Sequence, residues 1–218
     1  MPRETFDEQI GELQEDLLAV GDLVDRAIER SIQSLANRDL ELARQIIDED
    51  ALINQAQCDL EERCLVLIAT QQPLARDLRI IVTVSSIAIE LERMGDYAKG
   101  IAKITLMIGD QPPLKPLIDV PRMAEKGRQL LHQQLDAFIH RDPDAARRLG
   151  AGDDEVDALY DQVYHELVFF MMQDPRTITR ATYLLWVAHN LERIADRTTN
   201  IGERVVFLVT GRVEELNT

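Results

Sequence analysis

The chain has 218 residues, of which 45% are apolar and 29% charged, and a formal net charge of −15 from 39 acidic against 24 basic side chains. That length carries one large domain or two small ones. The charge disfavours nucleic acid, whose phosphates demand a basic face, and simple docking on an anionic lipid surface; cations and basic partners are its complement.

The first stretch, MPRETFDEQIGELQED, is charged from its third residue and lacks the apolar centre of a signal peptide. The longest uncharged run, Leu65–Ala75, contains Pro73 and falls short of the roughly 18–20 residues a membrane span needs. A cytoplasmic protein without membrane insertion is expected. Apolar residues then recur with helical spacing almost throughout, predicting helices at about 5–36, 39–71, 74–108, 119–140, 142–173 and 175–210.

Asp39 is placed to cap the second helix, and Gln72-Pro73 is a weaker start for the third. The second helix carries a seam at Ile46, Ile53, Leu60 and Leu67. The third steps 4-3-4-3 from Ile80 through Val84, Ile87, Leu91, Met94 and Ala98 to Ile108. Such heptad seams belong to helices packed nearly parallel in a bundle. Cys58 and Cys64, six apart, are too widely spaced for a paired metal motif and read as buried free thiols. Between Gly109 and Pro121 lie four of the eight prolines, in GDQPPLKPLIDVP, the one convincing linker. Asp142-Pro143 and Asp174-Pro175 each read as an N-cap followed by Pro at the first helical position. The last helix repeats the seam, from Leu184 through Val187, Leu191 and Ile194 to Leu208. Phe169, Phe170 and Trp186 read as core or subunit contacts, and His165 and His189 as surface residues rather than ligands.

The second half repeats the first. ELERMGDYAKGI (90–101) matches NLERIADRTTNI (190–201), NRDLELAR from Asn37 matches HRDPDAAR from His140, and Asp50-Ala-Leu-Ile-Asn54 matches Asp153-Asp-Glu-Val-Asp157. Such a long period indicates two homologous three-helix units rather than a solenoid. The expected fold class is therefore all-α: two tandem three-helix bundles, at 1–109 and 122–218, joined by a Pro-rich linker at 110–121.

The repeated motif is acidic. Glu92 and Asp96, like Glu192 and Asp196, are four apart and so neighbours on one helical face. Reckoned at 100° per residue they point away from the seam, as exposed pairs without the raised pKa of a buried catalytic acid. The second helix of each unit adds a pair, Asp50 with Asn54 and Asp153 with Asp157, at the edge of its seam. Adjacent helices can bring two pairs together on one outer surface. Carboxylates four apart destabilise a bare helix by some tenths of a kcal/mol, and oxygen-rich clusters bind hard or borderline cations; an acidic protein also carries such residues simply as a solvated surface. Other chemistries fit poorly. No His has a Glu three residues before it, as inward-facing di-iron bundles require; no glycine loop follows a strand; and Ser85 and Ser86 lie near the core stripe.

The segments QQPLARDLRI, ELERMGDYAKGI, DPRTITRA and NLERIADRTTNI, with the doubled three-helix plan over residues 6–212, resemble the phosphate transport system accessory protein PhoU family. The resemblance implies two three-helix repeats bearing multinuclear metal clusters (iron, zinc, manganese or magnesium). Their ligands would be Asp50, Asn54, Glu92 and Asp96 in the first repeat and Asp153, Asp157, Glu192 and Asp196 in the second; Asn54 departs from the acidic pattern. It further implies a non-enzymatic negative regulator of phosphate uptake and of the phosphate-starvation response. Such a regulator links the phosphate ABC transporter to a sensor histidine kinase at the inner face of the membrane. A homodimer is the expected assembly, and a carboxylate-bridged phosphoester hydrolase is the alternative.

The two sets of acids are unequal. The first carries −3 and the second −4. Lys99 and Lys103 follow the first motif where Thr199 and Glu203 follow the second. An ammonium some 6–10 Å away opposes a surface cation by only a fraction of a kcal/mol, so the missing carboxylate at Asn54 is expected to matter more. The second site is expected to hold metal more tightly, unless Gly150 and Gly152 loosen the helix before Asp153 at a cost of roughly 1 kcal/mol each.

Overall fold

The structure, a computed structural model, describes residues 3–150 and 152–216, with side chains from residue 6 onward. Met1, Pro2, Ala151, Asn217 and Thr218, which the sequence reading assigns to the two units and to the fifth helix, lie outside the described residues. The first unit is α1 (Arg3–Asn37), α2 (Leu40–Gln71) and α3 (Arg76–Ile108). The second is α4 (Asp119–His140), α5 (Pro143–Gly150), α6 (Asp154–Gln173) and, after a 3₁₀ turn at Pro175–Thr177, α7 (Ile178–Thr210). No strand occurs among the described residues. The fold is all-α, built from two three-helix units, with the middle helix of the second in two pieces.

Caps set most of the boundaries. Asp39 accepts the Leu42 amide at 2.9 Å, Asp142 those of Asp144 and Ala145 at 3.0 and 2.9 Å, and Asp174 that of Arg176 at 3.0 Å, each satisfying a donor with no intrahelical partner. Gln72-Pro73 starts nothing. Gln72 ends α2 in the left-handed region at φ 48°, and α3 begins only at Arg76. Gly150 and Gly152 flank the interruption and are closely packed: a Cβ on Gly152 would lie 2.5 Å from Leu130 and one on Gly150 3.0 Å from Leu216.

The three seams are the core. From Ile80 to Ile101, from Leu184 to Leu208, and at Ile46, Ile53, Leu60 and Leu67, every seam position is buried. The seam helices α3 and α7 pack on each other as well as on the helices of their own units, so one apolar cluster runs through both halves. Glu90, at the head of the first motif, crosses this junction. Its Oε2 accepts from Arg197 at 3.2 Å and Asn200 at 3.0 Å, and its Oε1 from Arg93 at 3.1 Å. α1 and α4 also meet. There Asp25 receives a two-pronged hydrogen bond from Arg128, at 2.8 and 2.9 Å, across a sequence separation of 103. That separation is the repeat offset in this region, so a residue is paired with its own counterpart, an acid against a base.

Some expectations are corrected. Cys64 is buried, where loss of solvent pushes its thiol up to about 11, but Cys58 is exposed. Phe169 and Trp186 are 57% and 48% exposed and are not core residues. The linker is anchored, because Lys115 is 8% exposed and pairs with Glu166 and Asp119. Glu203 is not part of an outer stripe; its Oε1 accepts the Leu216 amide at 3.1 Å and holds the C-terminal segment.

Candidate metal centre

In the second unit α6 packs against α7. Asp157 on α6 thereby meets Glu192 and Asp196 on α7, and one carboxylate oxygen from each comes within 4.8 Å of the other two. The four-residue spacing sets Glu192 and Asp196 side by side on α7, and the packing of α6 supplies the third group. The Glu192 and Asp196 side chains are 24% and 21% exposed. They are half-buried, not the exposed pair the single-helix reckoning predicts, and their pKa values are raised. Burial pushes Glu192 up, with Asp196 adding repulsion and His189 and Arg193 opposing. Burial likewise raises Asp196 against the pull of Arg193 and Arg197. Asp157 is open to solvent on one side but raised by the protein packed round its carboxyl, then by Asp153 and Asp196. Asp153 is buried before the first turn of α6 beside the trio but is not one of the three converging carboxylates; its Oδ2 accepts the Thr199 hydroxyl at 3.1 Å.

These residues fit a hard or borderline cation. The donors are carboxylate oxygens, which such ions prefer, and their mutual repulsion is what a cation relieves. Glu192 Oε2 is buried and accepts no hydrogen bond, although His189 Nδ1 stands 3.2 Å away. Arg193 forms an ion pair with Asp196 at 2.9 Å.

The first unit repeats the layout and not the outcome. Asp50 is buried, Asn54 and Glu92 are half-buried, and the Asp96 side chain is 53% exposed. Burial raises Glu92, helped by Asp96 and Asp50 and opposed by Arg93 and Lys99. The Lys99 ammonium lies 2.6 Å from Asp50 Oδ2 and 3.6 Å from Asp96 Oδ1. Its hydrogen bond to Asp50 is the main reason its own pKa is raised. Asn54 donates to the same Oδ2 at 3.1 Å, which leaves Asp50 Oδ1 and Asn54 Oδ1 buried without a donor.

Lys99 therefore does not stand off at 6–10 Å, as the sequence reading assumes. A divalent ion about 4 Å from an ammonium is opposed by roughly 8 kcal/mol at an effective dielectric near 20. As arranged, these residues do not fit a metal.

Two residues at the sites escape sequence reasoning. Along its own helix Lys99 lies beyond the motif, while its partner Asp50 is on α2. His189 lies three residues before Glu192, a His-x-x-Glu spacing that puts the ring on the same helical face.

The PhoU domain family model matches residues 17–105 and 120–205, one match in each unit. The chain belongs to the PhoU family. It is 37% identical over 207 residues to the phosphate-specific transport system accessory protein PhoU homolog of Rhizobium meliloti strain 1021, covering 94% of this chain and 87% of the relative. The Clostridium acetobutylicum homolog of the same name is 35% identical over 218 residues, covering all of both chains. Among solved structures, the phosphate transport system regulatory protein PhoU of Streptococcus pneumoniae superposes with a TM-score of 0.89 at 32% identity, over 96% of this chain and 99% of that one. PhoU of Pseudomonas aeruginosa gives 0.89 at 34% identity, over 95% and 100%. These PhoU relatives are named as accessory and regulatory proteins, not enzymes. Among the described residues, no helix is long and apolar enough to cross a membrane.

Proposed function

We infer that this chain is an accessory regulator of phosphate transport, a metal-bearing helical adaptor that restrains phosphate uptake and the phosphate-starvation response while phosphate is abundant. The observation that supports it above all is the match of both units to the PhoU domain family and of the whole chain to proteins named phosphate-specific transport system accessory proteins. Its partners on this reading are the phosphate ABC transporter, approached from the cytoplasmic side, and a sensor histidine kinase. A homodimer is in keeping with the apolar side chains left uncovered on α6 and α7, among them Phe169, Met172 and Trp186.

Asp157, Glu192 and Asp196 would hold the metal, with Asp153 beside them. A bound cation would supply a cross-link between α6 and α7 and neutralise carboxylates that burial has made costly to ionise. The chain's own residues do the rest. The α7 seam buries Leu191 and Ile194 and so points Glu192 and Asp196 at α6, and Thr199 holds Asp153 by its hydroxyl. The hydrolase alternative is not favoured, since Arg193, which would orient a substrate, is engaged with Asp196.

Deleting the gene tests the reading. Phosphate-starvation genes are expected to be expressed in phosphate-rich medium, and normal repression in the deletion strain would overturn it.

A further inference from the structure

The two acidic clusters differ most at one pair of equivalent positions, Lys99 and Thr199. Each reaches from the seam helix to the buried aspartate of the neighbouring helix. Lys99 places an ammonium 2.6 Å from Asp50 Oδ2, while Thr199 places a neutral hydroxyl 3.1 Å from Asp153 Oδ2. We propose that Lys99 is a resident cation that closes the first unit's acidic site in place of a metal, so that only the second unit takes a metal ion.

Three observations carry this. Lys99 bridges helices as a metal would, touching Asp50 on α2 and Asp96 on α3. Its charge changes the balance: three acids and one ammonium leave −2 in the first cluster, against −3 for the four acids of the second with the Arg193 guanidinium that pairs with Asp196. Among the described residues, the three carboxylates whose oxygens converge are in the second unit.

Two oxygens point the other way, Asp50 Oδ1 and Asn54 Oδ1, both buried and without a protein donor. Asp50, however, lines a cavity of about 50 Å³ that also has Arg26 and Arg30 of α1 in its wall. Such a space suits a water molecule, and its two guanidiniums offset the carboxylates of Asp50 and of Glu49, which pairs with Arg30. Asn54 turns its amide nitrogen to Asp50 where the second unit has the carboxylate of Asp157.

The proposal rests on the metal-binding reading only for the second unit, and manganese titrations of the full chain separate the two. Asp196→Asn removes the second site, so any manganese bound by that variant reports the first. The expected result is that Asp196→Asn alone shows no saturable manganese binding. Adding Lys99→Thr to it should create binding at least about tenfold tighter, together with a manganese-dependent rise in melting temperature that Asp196→Asn lacks. The converse variant Thr199→Lys, confirmed as folded by circular dichroism, should lose the wild-type manganese site and melt at a temperature insensitive to manganese.

If Asp196→Asn still binds manganese and Asp50→Asn abolishes what remains, the first site takes metal beside Lys99 and the proposal is overturned while the metal reading stands. If Lys99→Thr gains nothing, or a folded Thr199→Lys binds like wild type, the proposal is likewise overturned. If wild type binds no manganese while Lys99→Thr does, the metal reading of the second unit fails and the role of Lys99 stands.

Discussion

The two acidic clusters share one blueprint: a seam helix with Glu and Asp four apart, beside a middle helix with a buried Asp. In the first unit Lys99 lies across Asp50 and Asp96 as part of the fold. In the second the equivalent residue is Thr199, and Asp157, Glu192 and Asp196 face one another with burial raising the pKa of all three. A duplicated backbone thus delivers the same positions twice, while Lys99 in place of Thr199 and Asn54 in place of Asp157 set the first cluster, on this account, to be neutralised from within. The structural role of such a cluster, tying the middle helix to the seam helix, is separable from the identity of the cation that ties it.

Removing Lys99 is expected to have the largest effect. Lys99→Ala leaves the buried Asp50 carboxylate, 4% exposed, without its counter-charge. A loss of about 3 kcal/mol is expected, read as a lower midpoint in urea unfolding. Little change would show that Asp50 finds water or Asn54 an equal partner.

Asp196→Asn comes next. It should abolish saturable manganese binding, a loss of at least about 100-fold or 2.7 kcal/mol, while Asp96→Asn leaves binding within about twofold. The reverse ranking would contradict the contrast between the units.

A third prediction concerns the Asp25–Arg128 pair that joins the units. Burial raises Asp25, but the hydrogen bond and charge of Arg128, with His132, outweigh it and hold the carboxyl below 3.8. A depressed folded pKa contributes stability that is present above the unfolded value and is lost as pH falls through the folded one. Asp25→Asn should therefore cost about 1–2 kcal/mol at neutral pH and flatten the loss of stability below about pH 3.8. An unchanged acid limb would show that the pair contributes nothing to the joining of the units.

The smallest effect is expected from Thr199→Ala. It removes one hydroxyl donor from Asp153 and should cost about 1 kcal/mol, roughly a third of the Lys99→Ala loss. Equal losses would mean that the ammonium of Lys99 brings no more than a hydrogen bond.

Much of the fold was legible in the sequence because heptad spacing and N-caps are local. The seam residues from Ile80 and from Leu184 are the buried ones, and Asp39, Asp142 and Asp174 cap as their spacing predicts. What failed depends on neighbours. The glycines at the break after Gly150 are packed against Leu130 and Leu216, which are distant in sequence. Angle alone points the acids of α3 and α7 outward, which holds for Asp96, whereas the adjacent helix half-buries Glu92, Glu192 and Asp196; Asp50 and Asp153, at the seam edge, are buried. Along its own helix Lys99 lies one turn beyond the motif, whereas a lysine is long enough to cross to Asp50 on α2. His189 is a surface residue, as its reading expects, and only the turn of α7 brings its ring to Glu192.

The most direct test of the contrast is diffraction from crystals of the full chain grown with manganese, recorded where manganese scatters anomalously. The account predicts an anomalous peak between Asp157, Glu192 and Asp196, and at the first unit no peak, with the Lys99 ammonium still against Asp50. A peak beside Asp50 and Glu92 with Lys99 swung away, or peaks of equal height in both units, would contradict it.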